Sequence, residues 1–291
     1  MNKNVSGSIL SVRSADVGGT VVAARAEPRN VFLSRDELTL FVHGFAVTQA
    51  QADKIYRAFG ERLDGHSDQA VHIYWPGDLG MPGVTQLGYP LQRRRALDSA
   101  TELADYIARE LDERRDAASR RGRVLRPLTL RVVAHSMGCL LALELLKLLN
   151  RPREIEISLI VLMAAAVAQY RLADRDLGRV LTRARQVRVY RSFSDWVLAV
   201  AFPIGELPHR PFPEGWKRRS AIGRNGCGDG FANLDEHERS HGHSDYWKDA
   251  SIAEDVRAAS VLAAERKSLG SQVGRALVGR AIAPRKLGES L

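Results

Sequence analysis

Residues 128–148 read LTLRVVAHSMGCLLALELLKL, and this stretch decides the fold of the chain. Its β-branched, apolar start predicts a buried strand over Leu128–Val133, and the apolar run after the turn predicts a buried helix. The turn between them, AHSMG, contains Ala134 and Gly138, which have almost no side chain. A serine in this strand–turn–helix context is held on a tight turn with its hydroxyl exposed. We therefore predict that Ser136 is a nucleophile.

Outward from this turn, apolar strands alternate with amphipathic helices. Near-continuous apolar strands separated by helices indicate an α/β fold, in which a mostly parallel sheet is covered by helices on both faces. The pair Gly18-Gly19 between two short strand-like runs predicts an N-terminal hairpin. The predicted strands are Ser8–Arg13, Val21–Arg25, Leu38–His43, Val71–Trp75, Leu128–His135, Ile157–Ala165 and Val187–Ser192, and the predicted helices are Gln49–Leu63, Gln92–Arg121, Cys139–Leu149, Arg171–Arg185 and Ala253–Lys267.

The length of 291 residues is enough for one sizeable core, so a single main domain is expected. We predict that this domain covers residues 1–268 and that a basic tail rich in Gly and Arg covers residues 269–291. The interval Ala165–Gln186 has room for only one helix between two predicted strands. No large cap domain is therefore expected above the sheet.

Targeting and redox signals are sparse in the sequence. No apolar run reaches the roughly 18 residues of a membrane span. The first residues, MNKNVSGSILSVRS, lack the apolar core of a secretory signal. The two cysteines, Cys139 and Cys227, do not make a disulfide framework. We therefore expect a cytoplasmic protein, since thiols stay reduced in that compartment.

The net charge of +9 and the isoelectric point near 9.9 invite a nucleic-acid-binding interpretation. The arginines of Gln92–Arg121 alternate with carboxylates at helical spacing, however, which is typical of a solvated face. No aromatic residues are interleaved with them, as a base-stacking surface requires. We expect no specific nucleic-acid binding.

The basic tail after residue 268 has apolar positions at roughly helical spacing, but several glycines and one proline weaken any helix there. No predicted strand of the core needs this segment. We predict that the tail is dispensable for catalysis and either packs weakly on the surface or offers a basic contact to a partner or an anionic membrane surface. The alternative is an ordered helix that completes the domain.

Active-site residues of a parallel sheet lie at the carboxyl ends of its strands. The strand Val187–Ser192 runs into Asp195, and a late loop with the sequence HGHSDYW carries His241 and His243. Together with Ser136, this gives a nucleophile, an acid and a base in the chain order Ser, Asp, His.

Four segments of the chain resemble the alpha/beta-hydrolase superfamily, whose catalytic residues follow this chain order. They are VHGFAVT at 42–48, YWPGD at 74–78, VVAHSMGCLLALELL at 132–146 and GHSDYW at 242–247. They are similar to bacterial alpha/beta-hydrolases of unassigned substrate, and lipases and GPI-inositol deacylases share the AHSMG turn. The likeness covers Leu38–Trp247 and implies the alpha/beta-hydrolase fold. Two residues depart from the pattern, Cys139, where many relatives are expected to have Asn or Gly, and Ala134, which replaces the first glycine of the turn.

Acyl-transfer chemistry assigns a role to each residue. A neutral hydroxyl attacks poorly, so Ser136 needs a base within hydrogen-bond reach, for which we predict His243. Asp195 is predicted to hold the imidazole in the productive tautomer. The backbone N–H groups of Met137 and Phe45 are predicted to form the oxyanion hole.

The substrate is expected to be a small-molecule or lipid carboxylic ester, with no cofactor. The loops Pro76–Pro90 and Val197–Asn233 contain glycine, proline and apolar residues, which suggests an apolar cleft for an acyl group. Amide or peptide cleavage and acyl transfer to another acceptor use the same residues and stay open. The predicted substrate-contacting residues are His43, Gly44, Trp75, Tyr89 and His135.

Each assignment has an alternative. Asp195 could instead cap a helix that begins near Trp196, with Asp174 as the next candidate for the acid. His241 and His237 are the other candidates for the base. These histidines, with Asp235 and Asp245 nearby, also allow a zinc-binding interpretation, and a noncatalytic member of the fold is a further alternative.

Overall fold

The part of the chain that the structure describes forms a sheet of eight strands in the order β2-β1-β4-β3-β5-β6-β7-β8. The computed structural model describes residues 7–63, 69–80, 89–173, 176–206, 220–228 and 230–258. The strands are β1 Ser8–Arg13, β2 Val21–Glu27, β3 Glu37–Val42, β4 Ala70–Tyr74, β5 Leu128–His135, β6 Ile155–Met163, β7 Gln186–Arg191 and β8 Leu234–Glu238.

Among the described strands, only the β1–β2 hairpin is antiparallel, and the remaining neighbours pair in parallel. The register aligns the ends of the central strands, because Ala134 of β5 pairs with both Val42 of β3 and Leu162 of β6, and Leu162 pairs with Val189 of β7. The carboxyl ends of β3, β5, β6 and β7 therefore lie along one edge, which we call the carboxyl edge. Side chains that follow these strands in sequence meet there.

The helices pack on the faces of this sheet, and the longest of them, α3, packs against α4. Nearly every residue of α4 is buried, which explains why its sequence has no polar face. The helices are α1 Val31–Ser34, α2 Gln49–Gly60, α3 Tyr89–Arg120, α4 Met137–Leu148, α5 Tyr170–Ala173, α6 Leu177–Arg183, α7 Phe202–Glu206 and α8 Ile222–Asn225. Shorter helical turns lie at Glu61–Leu63, Val197–Ala201 and Tyr246–Lys248, and residues 250–258 are also helical.

The predicted α/β architecture is confirmed, including the N-terminal hairpin and the absence of a large cap: the described residues between β6 and β7 form only α5 and α6. The single helix predicted over Arg171–Arg185 is therefore wrong in detail. Among the described residues, no helix has the length and apolar character needed to cross a membrane. Cys139 and Cys227 are both buried free thiols.

The sequence prediction missed β8, whose sequence LDEHE has no apolar alternation. This strand forms the edge of the sheet beside β7 and keeps most of its side chains partly or fully exposed, so its pairing leaves no hydrophobic signal. The predicted loop Val197–Asn233 also contains helical segments, namely Val197–Ala201, α7 and α8. The predicted boundary at residue 268 and the tail 269–291 lie outside the described residues.

Candidate active site

Ser136 occupies the turn between β5 and α4 with φ of 54° and ψ of −126°. A positive φ is uncommon for a residue with a side chain and persists only where the surroundings enforce it. Here the Ser136 N–H donates to the Met163 carbonyl (2.9 Å), and the Ser136 carbonyl accepts from the N–H of Ala166 (3.1 Å). The end of β6 therefore holds the strained turn on both sides.

Two glycines allow the close approach of the chains around this turn. A Cβ atom at Gly138 would lie 2.2 Å from the His43 carbonyl oxygen, and one at Gly44 would lie 2.9 Å from Ser136 Cβ. Both distances are far below van der Waals contact, so only glycine fits at either position. The turn after β3 consequently packs directly against the Ser136 turn.

Three side chains from separate parts of the sequence form one hydrogen-bonded chain. Ser136 Oγ lies 2.8 Å from His243 Nε2, and His243 Nδ1 lies 2.7 Å from Asp195 Oδ2. A carboxylate only accepts hydrogen bonds, so Nδ1 carries the proton and Nε2 is left to accept from the serine hydroxyl. The geometry brings together the three residues that the sequence put forward as nucleophile, base and acid.

Asp195 follows β7 and is completely buried. Its Oδ1 accepts a hydrogen bond from the N–H of Leu198 (3.1 Å), while its Oδ2 faces His243. Helix capping and orientation of the imidazole, which the sequence analysis posed as alternatives, are therefore both present and use different oxygens. The capping contact fixes the rotation of the carboxylate that the imidazole meets.

His135, the residue before Ser136, holds the backbone of the base. Its Nε2 lies 2.7 Å from the His243 carbonyl oxygen, which can only accept, so Nε2 is the protonated nitrogen. Burial, and after it the neighbouring His243, lower the pKa of His135 to about 3. His135 thus stays neutral at physiological pH and serves as a fixed donor.

His43 shapes the turn on the other side of Ser136. Its Nδ1 donates to the Gly44 carbonyl (2.9 Å), and burial lowers the pKa of His43 to about 4. The ring stacks on Trp75 with centroids 5.6 Å apart, and the indole Nε1 of Trp75 donates to the His43 carbonyl (2.9 Å). Trp75 is wholly buried. The predicted contact of Trp75 with substrate is therefore wrong, and its side chain instead supports the His43 turn.

Tyr89 is also placed in the interior rather than on a cleft wall. Its ring packs edge-on against Phe202 (5.8 Å between centroids), and its hydroxyl donates to Glu206 Oε1 (3.3 Å). A Cβ at Gly205 would lie 2.1 Å from the Tyr89 ring, so α7 sits tightly on it. Residues 81–88 and 207–219 of the two loops predicted to form the cleft lie outside the described residues.

The two backbone groups predicted for the oxyanion hole flank the serine. Met137 begins α4 directly after Ser136, and Phe45 follows the glycine that packs against Ser136. Neither N–H donates to any atom of the described residues. Both are therefore available as donors at the carboxyl edge, with the positive end of the α4 dipole behind the first.

The alternative histidines have other partners. His241 Nε2 lies 2.6 Å from Asp249 Oδ2, and His237 stacks on Tyr190 with centroids 4.9 Å apart. Because the three imidazoles of the late loop and β8 face three different partners, they do not converge as zinc ligands would. The part of the chain that the structure describes contains no group of three or more His, Cys, Asp or Glu that could hold a metal ion. Asp174 lies outside that part.

A family model described as an alpha/beta hydrolase of unknown function (DUF900) matches residues 28–210. The chain belongs to this family. The matched residues of this alpha/beta hydrolase include Ser136 and Asp195, whereas His243 lies C-terminal to them. A search of curated proteins found no match.

Sequence reasoning missed two features of the alpha/beta-hydrolase site. It treated His135 as a substrate contact, although its Nε2 holds the backbone of His243. It also gave no role to Asp249, the partner of His241. Asp249 lies eight residues from that histidine in an irregular segment, and irregular segments carry no periodicity from which a contact could be read.

Proposed function

We propose that this alpha/beta hydrolase cleaves carboxylic esters with Ser136 as nucleophile, His243 as general base and Asp195 as the orienting acid. The observation that supports it is the continuous chain of hydrogen bonds from the Ser136 hydroxyl through His243 to the buried carboxylate. A chain of this kind activates a serine for attack on an acyl carbon.

In the proposed reaction Ser136 Oγ attacks the ester carbonyl while its proton moves to His243 Nε2. The carbonyl π electrons shift to the oxygen, and the N–H groups of Met137 and Phe45 stabilise the resulting oxyanion. When the oxyanion collapses, the C–O bond to the alcohol breaks, and the alkoxide takes the proton from His243. Water then repeats the sequence on the acyl-enzyme, which releases the carboxylic acid and restores the serine.

The buried carboxylate of Asp195 contributes by stabilising the imidazolium that forms in both steps. Its second oxygen is occupied by the Leu198 N–H, so it keeps one orientation toward His243 throughout. General base catalysis of this kind contributes about 10²- to 10⁴-fold to the rate. The oxyanion donors contribute a comparable factor because they are already oriented before the charge develops.

The ester preference is tested with p-nitrophenyl esters of increasing acyl length beside the matched p-nitroanilides. We expect a burst of p-nitrophenol, a serine-bound acyl group detected by mass spectrometry, and no turnover in Ser136→Ala. Faster cleavage of the anilides would show that the preferred substrate is an amide and not an ester. Turnover that survives Ser136→Ala but is abolished by a chelator would overturn the serine mechanism in favour of a metal enzyme.

A further inference from the structure

The helical segment that follows Asp195 exposes apolar side chains to water. In residues 195–206 the exposed positions are Trp196, Val200 and Ile204, and Phe193 lies exposed just before them. These four side chains, which we call the apolar stripe, are between 54 % and 60 % exposed. A surface helix normally presents polar residues to water, so this one is unusual.

Three of the four stripe residues, Trp196, Val200 and Ile204, lie along one face of the helical segment. The spacing of four residues from Trp196 to Val200 and from Val200 to Ile204 keeps the side chains aligned through the π-helical turn Val197–Ala201 and through α7. Leu198 and Phe202 occupy the opposite, buried face. The described residues contain eight exposed large hydrophobic side chains, and half of them belong to this stripe. Such clustering marks a contact surface rather than scattered exposure.

The stripe borders the proposed active site. It starts directly after β7, at the carboxyl edge where β5 ends in the Ser136 turn. The residue between Phe193 and Trp196 that faces inward is Asp195, the partner of His243. A surface that covers the stripe therefore also lies at the edge of the sheet that carries the serine hydroxyl.

The charges around the stripe favour an anionic surface. The acidic residues of this segment, Asp195 and Glu206, are 0 % and 3 % exposed and face interior partners, His243 and Arg93, so neither presents a carboxylate at the surface of the stripe. The Arg224 guanidinium lies 4.1 Å from the centroid of the Phe193 ring and makes no ion pair with a described residue. A second copy of the chain would bring the same net charge of +9, whereas an anionic surface complements it.

We propose that the apolar stripe docks this protein on an anionic lipid–water interface. Tryptophan and phenylalanine favour that interface because their rings are apolar with a polarisable face, and the aliphatic side chains enter the acyl boundary beside them. Arg224 then meets the headgroup charge at one end of the stripe. The corollary that Ser136 takes its ester from the lipid surface rests on the proposed function, whereas the docking surface itself does not.

The test measures flotation of the full-length protein, carrying Ser136→Ala to prevent turnover, with vesicles of phosphatidylcholine alone or with one quarter phosphatidylglycerol. Trp196→Ser combined with Ile204→Ser should lower the partition coefficient on the anionic vesicles at least about tenfold. The matched control, Val124→Ser combined with Leu148→Ser, replaces exposed apolar residues near the amino ends of the strands. This control should change the partition coefficient less than twofold. The single variants Trp196→Ser and Ile204→Ser should each give a smaller loss.

Two results would overturn the docking surface. One is binding to anionic vesicles that is equal in the stripe variants and the control, since other basic parts of the chain would then carry it. The other is a stripe variant that turns a dimer into a monomer while the parent binds no vesicles, since the stripe would then join two copies. Fluorophosphonate labelling of otherwise wild-type protein separates the proposals: labelling without stripe-dependent binding refutes the docking alone, and stripe-dependent binding without labelling refutes the hydrolase alone.

Discussion

The segment from His241 to Asp249 takes part in two imidazole–carboxylate pairs that look alike by distance. His243 lies 2.7 Å from Asp195, and His241 lies 2.6 Å from Asp249. Their surroundings differ, because Asp195 is wholly buried behind β7, whereas the Asp249 side chain is 15 % exposed and also binds Ser251. A short contact between histidine and carboxylate is therefore a weak indicator of a catalytic pair.

The two pairs differ in what each histidine contacts besides its carboxylate. The free nitrogen of His243 reaches the hydroxyl of Ser136 at 2.8 Å, and His135 holds its carbonyl oxygen. The ring of His241 instead meets the edge of Tyr246, with centroids 5.2 Å apart. Of the two histidines, only His243 contacts a serine nucleophile. We therefore expect only the His243–Asp195 pair to affect turnover strongly.

The largest effect is expected from removal of the nucleophile or the base. Ser136→Ala and His243→Ala should each lower kcat by about 10⁴- to 10⁶-fold, and the double variant should lose little more, because the residues act as a unit. Steady-state kinetics on an activated ester measures this. Losses that multiply in the double variant would show that the two side chains act independently.

The next largest effect distinguishes the two carboxylates. Asp195→Asn should lower kcat by about 10³- to 10⁴-fold, since an amide no longer stabilises the imidazolium and favours the wrong tautomer. The matched control, Asp249→Asn, should change kcat less than about threefold because His241 does not reach Ser136. Similar losses in both variants would remove the distinction between the pairs.

A smaller effect is expected from the positioning residue. His135→Phe removes the donor to the His243 carbonyl and should lower kcat about 10- to 100-fold with little change in KM. His135→Gln, which keeps an N–H donor, should recover part of the loss. The rise of kcat with pH on the acid side of the profile, measured above pH 5, should have the same midpoint as in the wild type. Burial lowers the pKa of His135 to about 3, so its ring is neutral over this whole range. A shifted midpoint would mean that His135 itself titrates in catalysis.

The sequence predicted most of what is local. The small residues around Ser136 and the apolar run of β5 identify the turn because its geometry demands them. The choice between His241 and His243 depended on three-dimensional contacts, since both lie two residues apart among polar neighbours. β8 was missed because an exposed edge strand needs no apolar pattern.

The partly buried His241–Asp249 pair should matter for stability rather than turnover. Burial raises the pKa of the Asp249 carboxyl, but hydrogen bonds from Ser251 and His241 outweigh burial, so its pKa is lowered overall. A lowered pKa contributes stability above the unfolded-state pKa, and this is lost as the pH falls through the folded-state value. We expect Asp249→Asn to lower the free energy of unfolding by about 1 kcal/mol at pH 7. In denaturant titrations the difference should shrink below about pH 4, and a difference that grows there would refute the contribution.

The smallest effect is expected outside both pairs. Truncation after Lys267 removes the predicted basic tail, which lies beyond the described residues, and should leave Tm and ester turnover unchanged. Thermal unfolding and kinetics of the shortened chain measure this. Unfolding or aggregation would show that the tail completes the domain and that the predicted boundary at residue 268 is wrong.

The rate at which a fluorophosphonate modifies Ser136, located by peptide mapping, compares the two pairs most directly. His243→Ala should slow the reaction by about 10³-fold or more, and His241→Ala should leave it within about threefold of the wild type. Equal slowing in both variants, or an adduct on any residue other than Ser136, would contradict the assignment of His243 and Asp195 as the pair that activates the serine.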